Sequence, residues 1–244
     1  MIIEFCKFGF YLTLFMRKFQ IIATLLILLI FVSSCEKKQT ELEFEKSVMT
    51  EIFPSLVDSI CVDCRILFLP MPLGKSIYDK NDNYIGRDTS NIKSEKEKWK
   101  KELVKIKNDT SKIIIALAPV RKIRGDVNSD FEKHFPKHKL YVPKEEMDVE
   151  YIFDFKNIKL NNKFELRNLS EFPKERGAIW NTKYNFVFSG VLDFSRIQFD
   201  KDKRFGVLDA GFGCGSKFGQ GSRIYIKKIN NKWVIDKIEG TWVS

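Results

Sequence analysis

The pattern of apolar and polar positions divides the chain into an early helical part and a late strand part. In residues 42–60, apolar side chains recur every three or four positions, which predicts an amphipathic helix. A second such helix is predicted over residues 94–108, where Trp99, Leu103 and Ile106 share one side and lysines and glutamates cover the other. Two main amphipathic helices are therefore expected in the first half of the chain.

From Val149 onward, the pattern changes to an alternation of apolar and polar positions, which is typical of half-buried strands. This alternation is longest in residues 184–200, and the segments after it predict an antiparallel meander at the C-terminus. Earlier strands are predicted over residues 65–69 and 112–120. Helices followed by strands favour an α+β fold, in which the two N-terminal helices pack on one face of an antiparallel sheet.

Polar, irregular sequence over residues 121–148 interrupts these patterns, apart from a short helix predicted near residues 130–134. This segment is the candidate for an internal boundary or a long surface loop. Otherwise residues 42–244 are expected to form a single α+β domain, because about 200 residues suffice for one well-buried core.

The N-terminal residues carry the features of an export signal. Two basic residues, Arg17 and Lys18, precede a run over residues 21–30 that is apolar except for Thr24, and small side chains follow at Ser33 and Ser34. A basic start, an apolar core and small residues before a cleavage point are typical of a secretory signal peptide. We therefore expect an exported protein.

The apolar stretch is too short for a typical membrane-spanning helix. Residues 19–32 number only fourteen, whereas crossing the hydrocarbon core takes about 20. Extending the stretch back to Phe8 would place two basic residues in the membrane, at about 2.5–3.5 kcal/mol each near its centre. We therefore expect residues 1–15 to be an upstream extension, Met16 to be the start, and residues 16–34 to be a cleaved signal peptide. An uncleaved membrane anchor is the alternative.

The stretch Val32-Ser33-Ser34-Cys35 resembles the lipobox of bacterial lipoproteins. The resemblance implies that Cys35 is lipidated and becomes the first residue of the mature protein. Several acyl chains would hold it stably, since each buried methylene contributes about 0.8 kcal/mol. Residues 35–41 would then be a short polar tether. The expected location is the extracytoplasmic side of a membrane in a bacterial cell envelope, with no cofactor besides the covalent lipid.

The charge balance is basic but dispersed. The chain has 42 lysines and arginines against 32 aspartates and glutamates, a net charge of +10. The basic residues are interleaved with acidic ones, as in residues 93–98, and the sequence has no dense basic block or nucleic-acid motif. We therefore expect a solvated, lysine-rich surface and no nucleic-acid partner.

Cys61 and Cys64 form a C-x-x-C pair, which suits a redox dithiol, a metal site or a structural disulfide. The order of elements is the reverse of thioredoxin, because a predicted helix precedes the pair and a predicted strand follows it. A zinc site would need a second pair, and only Cys214 remains. An oxidising compartment favours a structural disulfide. Cys214 could pair with either cysteine, and the spacing does not choose between them.

Glycine is densest over residues 211–221, between two predicted strands. A wide hairpin loop is the simple interpretation, since glycine permits unusual backbone angles. A loop shaped to hold a ligand is the functional interpretation. Its candidate residues are Gly211, Gly213, Gly215, Gly219 and Gly221.

Catalytic motifs are incomplete in this sequence. The only histidines, His134 and His138, have Pro136 between them, so we do not expect a helical zinc pair and expect both to be exposed to solvent. There is no G-x-S-x-G segment. Residues 79–83 predict a plain turn. These observations do not favour an enzyme.

Five further segments carry a resemblance to known proteins: residues 52–54, 194–199, 214–215, 232–235 and 242–244. Together they resemble a small family of uncharacterised bacterial lipoproteins. Relatives often carry a second cysteine near the position of Lys217. The resemblance implies that a hairpin-loop disulfide is missing here, which would leave Cys214 free, and it implies no activity.

These features favour a lipid-anchored extracytoplasmic protein that acts by binding or interaction. Its partner, a protein or a small molecule, and its oligomeric state stay open. One alternative is a thiol-based redox or hydrolytic enzyme that uses Cys61 and Cys64. Another is a ligand-binding fold similar to the nuclear-transport-factor-like superfamily, which would need a deep apolar pocket beside the sheet.

Overall fold

Helix α1 (Glu41–Ile60) covers one face of the main sheet. Its apolar side chains form one buried stripe, as their spacing of three and four residues predicts, so the first helix prediction is confirmed. The buried positions of α1 are Glu45, Val48, Met49, Ile52, Phe53, Leu56, Val57 and Ile60.

The coordinates are a computed structural model, and residues 41–244 form one compact unit in it. The expected extension (1–15), signal peptide (16–34) and Cys35 lie outside the described residues. A unit with its own core satisfies the main physical requirement for folding alone. The described residues are 39–123, 125–141, 149–160, 163–175 and 177–244.

A short helix, α2 (Cys64–Leu67), stands where a strand was expected over residues 65–69, and that prediction is wrong. The side chain of Asp63 accepts a hydrogen bond from the backbone N–H of Arg65 and caps the helix. Periodicity cannot separate a helix from a strand in so short an apolar run. Here the capping hydrogen bond to Asp63 favours the helix.

A two-stranded antiparallel sheet, separate from the main one, follows. It consists of β1 (Lys75–Tyr78) and β2 (Tyr84–Asp88). The carboxylate of Asp79 accepts hydrogen bonds from the backbone N–H groups of Asn81 and Asn83. The polar residues between the strands therefore form a turn, as predicted.

Helix α3 (Ile92–Asn108) confirms the second helix prediction. It has no fully buried residue, and Trp99, Leu103 and Ile106 are half-buried along one side. This helix lies next to α2. Its apolar side is thus only partly covered.

The main sheet is mostly antiparallel. Its strands are β3 (Ile113–Leu117), β4 (Leu140–Tyr141), β5 (Phe164–Asn168), β6 (Val187–Phe194), β7 (Gln198–Asp200), β8 (Phe205–Gly215), β9 (Phe218–Ile229) and β10 (Lys232–Val243). The strand order is β10-β9-β8-β6-β3-β5, and β3 runs parallel to β5 and β6. Strands β8, β9 and β10 form the predicted C-terminal meander, while β7 pairs with both β8 and β4.

The largest hydrophobic core fills the layer between α1 and the sheet. Phe53 of α1 meets Phe194 of β6 edge-to-face, with 5.7 Å between ring centroids, and Leu208 and Phe212 of β8 belong to the same cluster. Each such buried side chain contributes about 1.5–3 kcal/mol. A deep apolar pocket beside the sheet, which the nuclear-transport-factor-like hypothesis needs, would have to displace this packing.

Two smaller cores lie on the opposite face of the sheet. Val207 and Tyr225 alternate with Leu208 and Ile224 along their strands, so they point away from α1 and pack with the first small core. Helix α4 (Asn128–His134), predicted as a short helix, covers them.

The second small core gathers around strand β3. Ile114 and Ala116 alternate with residues of the α1 core, and Phe172 and Ile179 pack on them. Ile179 belongs to the short helix α5 (Ala178–Asn181). The second face is therefore covered at two separate places.

A buried ion pair joins α1 to the sheet. Glu45 Oε2 lies 2.6 Å from Arg196 Nε, and the two side chains are 3% and 1% exposed. The backbone N–H of Ile197 and the hydroxyl of Tyr151 donate to the other oxygen of Glu45, and Arg196 also donates to the carbonyl of Val149. Burial raises the pKa of Glu45, with Arg196 acting against that shift.

Candidate functional site

A groove of about 350 Å³ lies on the face of the sheet opposite α1. Along β8 it begins next to Val207, which α4 covers, and it contains Asp209 and Gly211. Along β9 it contains Arg223, and Trp242 of β10 closes one side. We call this space the glycine groove.

The glycine-rich segment is not a loop. The expectation of a ligand loop is therefore wrong for its residues Gly211, Gly213, Gly215, Gly219 and Gly221, all of which lie in strands. The first three belong to β8 and the last two to β9, and the turn between the strands is only Ser216 and Lys217. The glycines recur mostly at every second position, so they share one face of the hairpin. That spacing was the signal in the sequence for a glycine surface.

Two of these glycines give space to neighbouring side chains. A β-carbon at Gly211 would lie 2.7 Å from Oδ2 of Asp193, its partner across the strands. A β-carbon at Gly221 would overlap the indole of Trp242. Larger residues would therefore displace the carboxylate or the indole, and glycine keeps both side chains in the groove.

Arginine–aspartate pairs line the glycine groove. Arg121 Nη2 lies 2.6 Å from Asp193 Oδ1, and Arg223 Nε lies 2.9 Å from Asp209 Oδ1. Arg223 also pairs with Asp130 of α4. Burial acts to lower the pKa of Arg223, but the carboxylates of Asp209 and Asp130 outweigh it and raise that pKa. The guanidinium of Arg223 is therefore charged and held in place by two carboxylates.

Ser195 fixes the backbone at one wall of the groove. Its Oγ accepts a hydrogen bond from the backbone N–H of Asp209 at 2.8 Å and donates to the carbonyl of Arg196 at 3.0 Å. The backbone N–H of Arg196 donates in turn to the carbonyl of Arg121. These bonds join the chain near Arg121 to the end of β6, so the charged pairs stand on a rigid frame.

Trp242 supplies the aromatic surface of the groove. Trp242 as a whole residue is 51% exposed, although its indole lies against Gly221. An indole held on one side and open on the other offers an apolar face and an N–H donor at the same place. The groove thus combines paired charges with one exposed ring.

The cysteines pair as Cys64–Cys214, across 150 residues of sequence. Cys214 is therefore not free, in contrast to what the family resemblance implies. The hydroxyl of Ser189 positions Cys64, because it accepts from the N–H of Cys64 and donates to the carbonyl of Val62. The disulfide joins the start of α2 to the end of β8.

Cys61 is a buried free thiol. Burial raises its pKa, and the carboxylate of Asp58 adds to the effect, so the thiol stays protonated at neutral pH. A protonated, buried thiol is a poor nucleophile. This geometry gives the redox hypothesis for Cys61 and Cys64 no support.

The histidines are half-buried, so the expectation that both are exposed to solvent is wrong. His134 stacks on Tyr225, with 4.1 Å between ring centroids, and its Nε2 lies 2.8 Å from Asp236 Oδ2. His138 faces a different carboxylate, Asp200. Within the described ranges, no group of three or more histidine, cysteine, aspartate or glutamate side chains is placed to hold a metal ion.

Sequence reasoning missed the charged residues of the groove. Asp193, Asp209 and Arg223 occupy polar positions in strands where apolar and polar residues alternate. Such positions predict only a solvent-exposed face of the sheet. Their meeting with Arg121 depends on the order of the strands. The one sequence feature that indicated this surface is the spacing of the neighbouring glycines in β8 and β9.

Among the described residues, no helix combines the length and the apolar character needed to cross a bilayer. Comparison of the chain with protein-family models, curated proteins and solved structures found no match.

Proposed function

We propose that this protein is a lipid-anchored extracytoplasmic binding protein, and that its glycine groove holds an uncharged, hydroxyl-rich ligand of the saccharide class. The observation that carries the proposal is the half-exposed indole of Trp242 beside the pairs Arg121–Asp193 and Arg223–Asp209 in one groove.

The pairing of the charges argues for a neutral ligand. A charged ligand would have to separate an arginine from its aspartate, or bring a like charge close to one of them. A hydroxyl group both donates and accepts hydrogen bonds. A hydroxyl beside such a pair can therefore donate to a carboxylate oxygen of Asp193 or Asp209 and accept from another N–H of the guanidinium, while the ion pair stays in place.

The indole of Trp242 supports the same class of ligand. Sugar rings present C–H groups on their faces and hydroxyls at their edges, and an aromatic face suits the former. A groove of about 350 Å³ falls at the low end of the usual range for ligand sites, about 300–1,000 Å³. It has room for a small ligand or for one segment of a longer chain.

The anchoring part of the proposal depends on Cys35. Substitution of Cys35→Ala in the full chain should abolish metabolic labelling with a fatty acid and leave an unprocessed precursor. Labelling that persists in this variant would contradict the lipobox interpretation. This experiment is independent of ligand binding in the groove.

The binding part is tested by calorimetric titration of residues 39–244 with neutral oligosaccharides. Trp242→Ala should abolish binding, and Asp193→Asn should weaken it by roughly tenfold or more, the usual effect of losing one hydrogen bond to a charged group. Tyr84→Ala, at an exposed aromatic outside the groove, is the matched control. Equal losses in Tyr84→Ala and Trp242→Ala, or binding of charged ligands alone, would contradict the proposal.

A further inference from the structure

Residues 67–108 carry more than half of the exposed large apolar side chains in the described part of the chain. They contain nine of the sixteen large apolar side chains that are exposed among the described residues. Strands β1 and β2 pair only with each other, and Ile77, Tyr78, Tyr84 and Ile85 are all exposed. Extended apolar surfaces of this kind mark interaction sites. We call residues 67–108 the basic hairpin–helix segment.

An open apolar groove of about 430 Å³ crosses this segment. Met71 and Leu73, which are 68% and 54% exposed, face Trp99 of α3 across it. Lys96 and Lys100 stand at the same groove, one helical turn apart. Apolar side chains and ammonium groups are therefore adjacent on one surface.

The charge of the segment comes from α3. This helix carries seven lysines and three glutamates, a net charge of +4, whereas basic and acidic residues balance in the hairpin before it. Each basic residue that lies next to an anionic membrane surface strengthens binding about fivefold. A helix with lysines on its polar side and tryptophan and leucine on the other is typical of the membrane interface.

We propose that the basic hairpin–helix segment docks on a membrane surface that contains anionic lipids. The lysines at the groove contact the headgroups, and Met71 and Leu73 enter the boundary between headgroups and acyl chains. Trp99 lines the same groove, and indoles favour the membrane interface. The docking needs neither the lipid on Cys35 nor a ligand in the glycine groove.

The test is sedimentation of residues 39–244 with lipid vesicles, one set of phosphatidylcholine alone and one mixed with phosphatidylglycerol. We expect binding to the mixed vesicles, weaker binding at high salt, and little binding to phosphatidylcholine alone. Lys96→Gln with Lys100→Gln should weaken binding on the order of 30-fold. Lys201→Gln with Lys232→Gln removes the same charge at exposed positions elsewhere and should have a much smaller effect.

A second double variant tests the apolar contact. Met71→Ser with Leu73→Ser should weaken binding at least tenfold while the unfolding transition stays unchanged, since both side chains are exposed. Three results would overturn the proposal: no preference for phosphatidylglycerol, equal losses in the two lysine variants, or unchanged binding in the Met71 and Leu73 variant. Self-association that these substitutions abolish, without vesicle binding, would instead identify a contact between two copies of the chain.

Discussion

The indole of Trp242 lies so close to the α-carbon of Gly221 that any β-carbon there would overlap it. The two residues face each other across β9 and β10, at a point where the pairing register shifts. Trp242 is thereby held against the sheet while its other face stays exposed. The aromatic side of the glycine groove therefore depends on residue 221 being glycine, which has no β-carbon.

Substitution of Gly221→Ala should displace Trp242. We expect a loss of about 1–3 kcal/mol in the free energy of unfolding, the usual cost of overpacking, and a change in tryptophan fluorescence. Gly240→Ala is the matched control, because it lies on the same strand as Trp242 and a β-carbon there meets nothing within 4 Å. Urea unfolding of both variants measures the difference, and equal stability of the two would show that position 221 tolerates a side chain.

The Cys64–Cys214 disulfide should determine which thiols react and how stable the fold is. In residues 39–244 without reductant, a thiol reagent should modify no cysteine in the folded state and one, Cys61, after unfolding. Cys64→Ser should lower the free energy of unfolding by up to about 5 kcal/mol, because the bridge closes a loop of about 150 residues. Two or three reactive thiols in the unfolded protein would contradict the assigned pairing.

Because Glu45 and Arg196 form a buried ion pair, we expect the effects of substituting them on the free energy of unfolding to be strongly non-additive. Arg196→Met leaves the Glu45 carboxylate buried without its guanidinium partner and should cost about 3–5 kcal/mol of stability. Adding Glu45→Gln should recover part of that loss, since the uncompensated charge is removed. A double-mutant cycle from urea unfolding measures the coupling. Simple additivity of the two single effects would be inconsistent with a direct interaction.

The ionisation of Asp63 should make the free energy of unfolding decrease in acid. Burial acts to raise its pKa, but hydrogen bonds from Arg65 and Lys163 outweigh burial and hold the pKa below its ordinary value of 3.8. A carboxyl whose pKa is lowered by folding stabilises the protein above its unfolded pKa, and this contribution is lost as the pH falls through the folded pKa. The contribution is therefore complete at neutral pH and declines below about pH 4.

Asp63→Asn should consequently destabilise the protein at pH 7 by roughly 1–3 kcal/mol, and the difference from the original protein should shrink toward about pH 2. The exposed residue Asp202 provides the control substitution, Asp202→Asn. Urea unfolding across the acid range measures both. A constant difference between Asp63→Asn and the original protein at all pH values would exclude this assignment of acid sensitivity.

Local periodicity was enough to predict the long elements. The spacing of Val48, Ile52 and Phe53 requires a helix with one buried side, and α1 confirms it. Alternation along residues 205–212 and 223–229 likewise predicts the outer parts of β8 and β9, whereas the glycines between them predict a loop where the strands in fact continue. Short elements lack such redundancy, so the apolar run over residues 65–69 predicts a strand where the structure has the helix α2.

The candidate site was less predictable, because it depends on contacts between distant positions. Arg121 and Asp193 are 72 residues apart, and Cys64 and Cys214 are 150 apart. Nothing near either partner specifies the other. The parallel placement of β3 beside β6, which brings the chain after β3 to the end of β6, follows from packing of the whole sheet.

The most direct test of a saccharide site in the glycine groove follows the indole N–H of Trp242 by nuclear magnetic resonance while residues 39–244 are titrated with neutral oligosaccharides. We expect the Trp242 resonance to shift in a saturable way with at least one of them, and Asp193→Asn to weaken the response while the indole resonance of Trp99 stays in place. A Trp242 resonance that does not move with any neutral oligosaccharide, or that moves only together with Trp99, would contradict a saccharide site in the glycine groove.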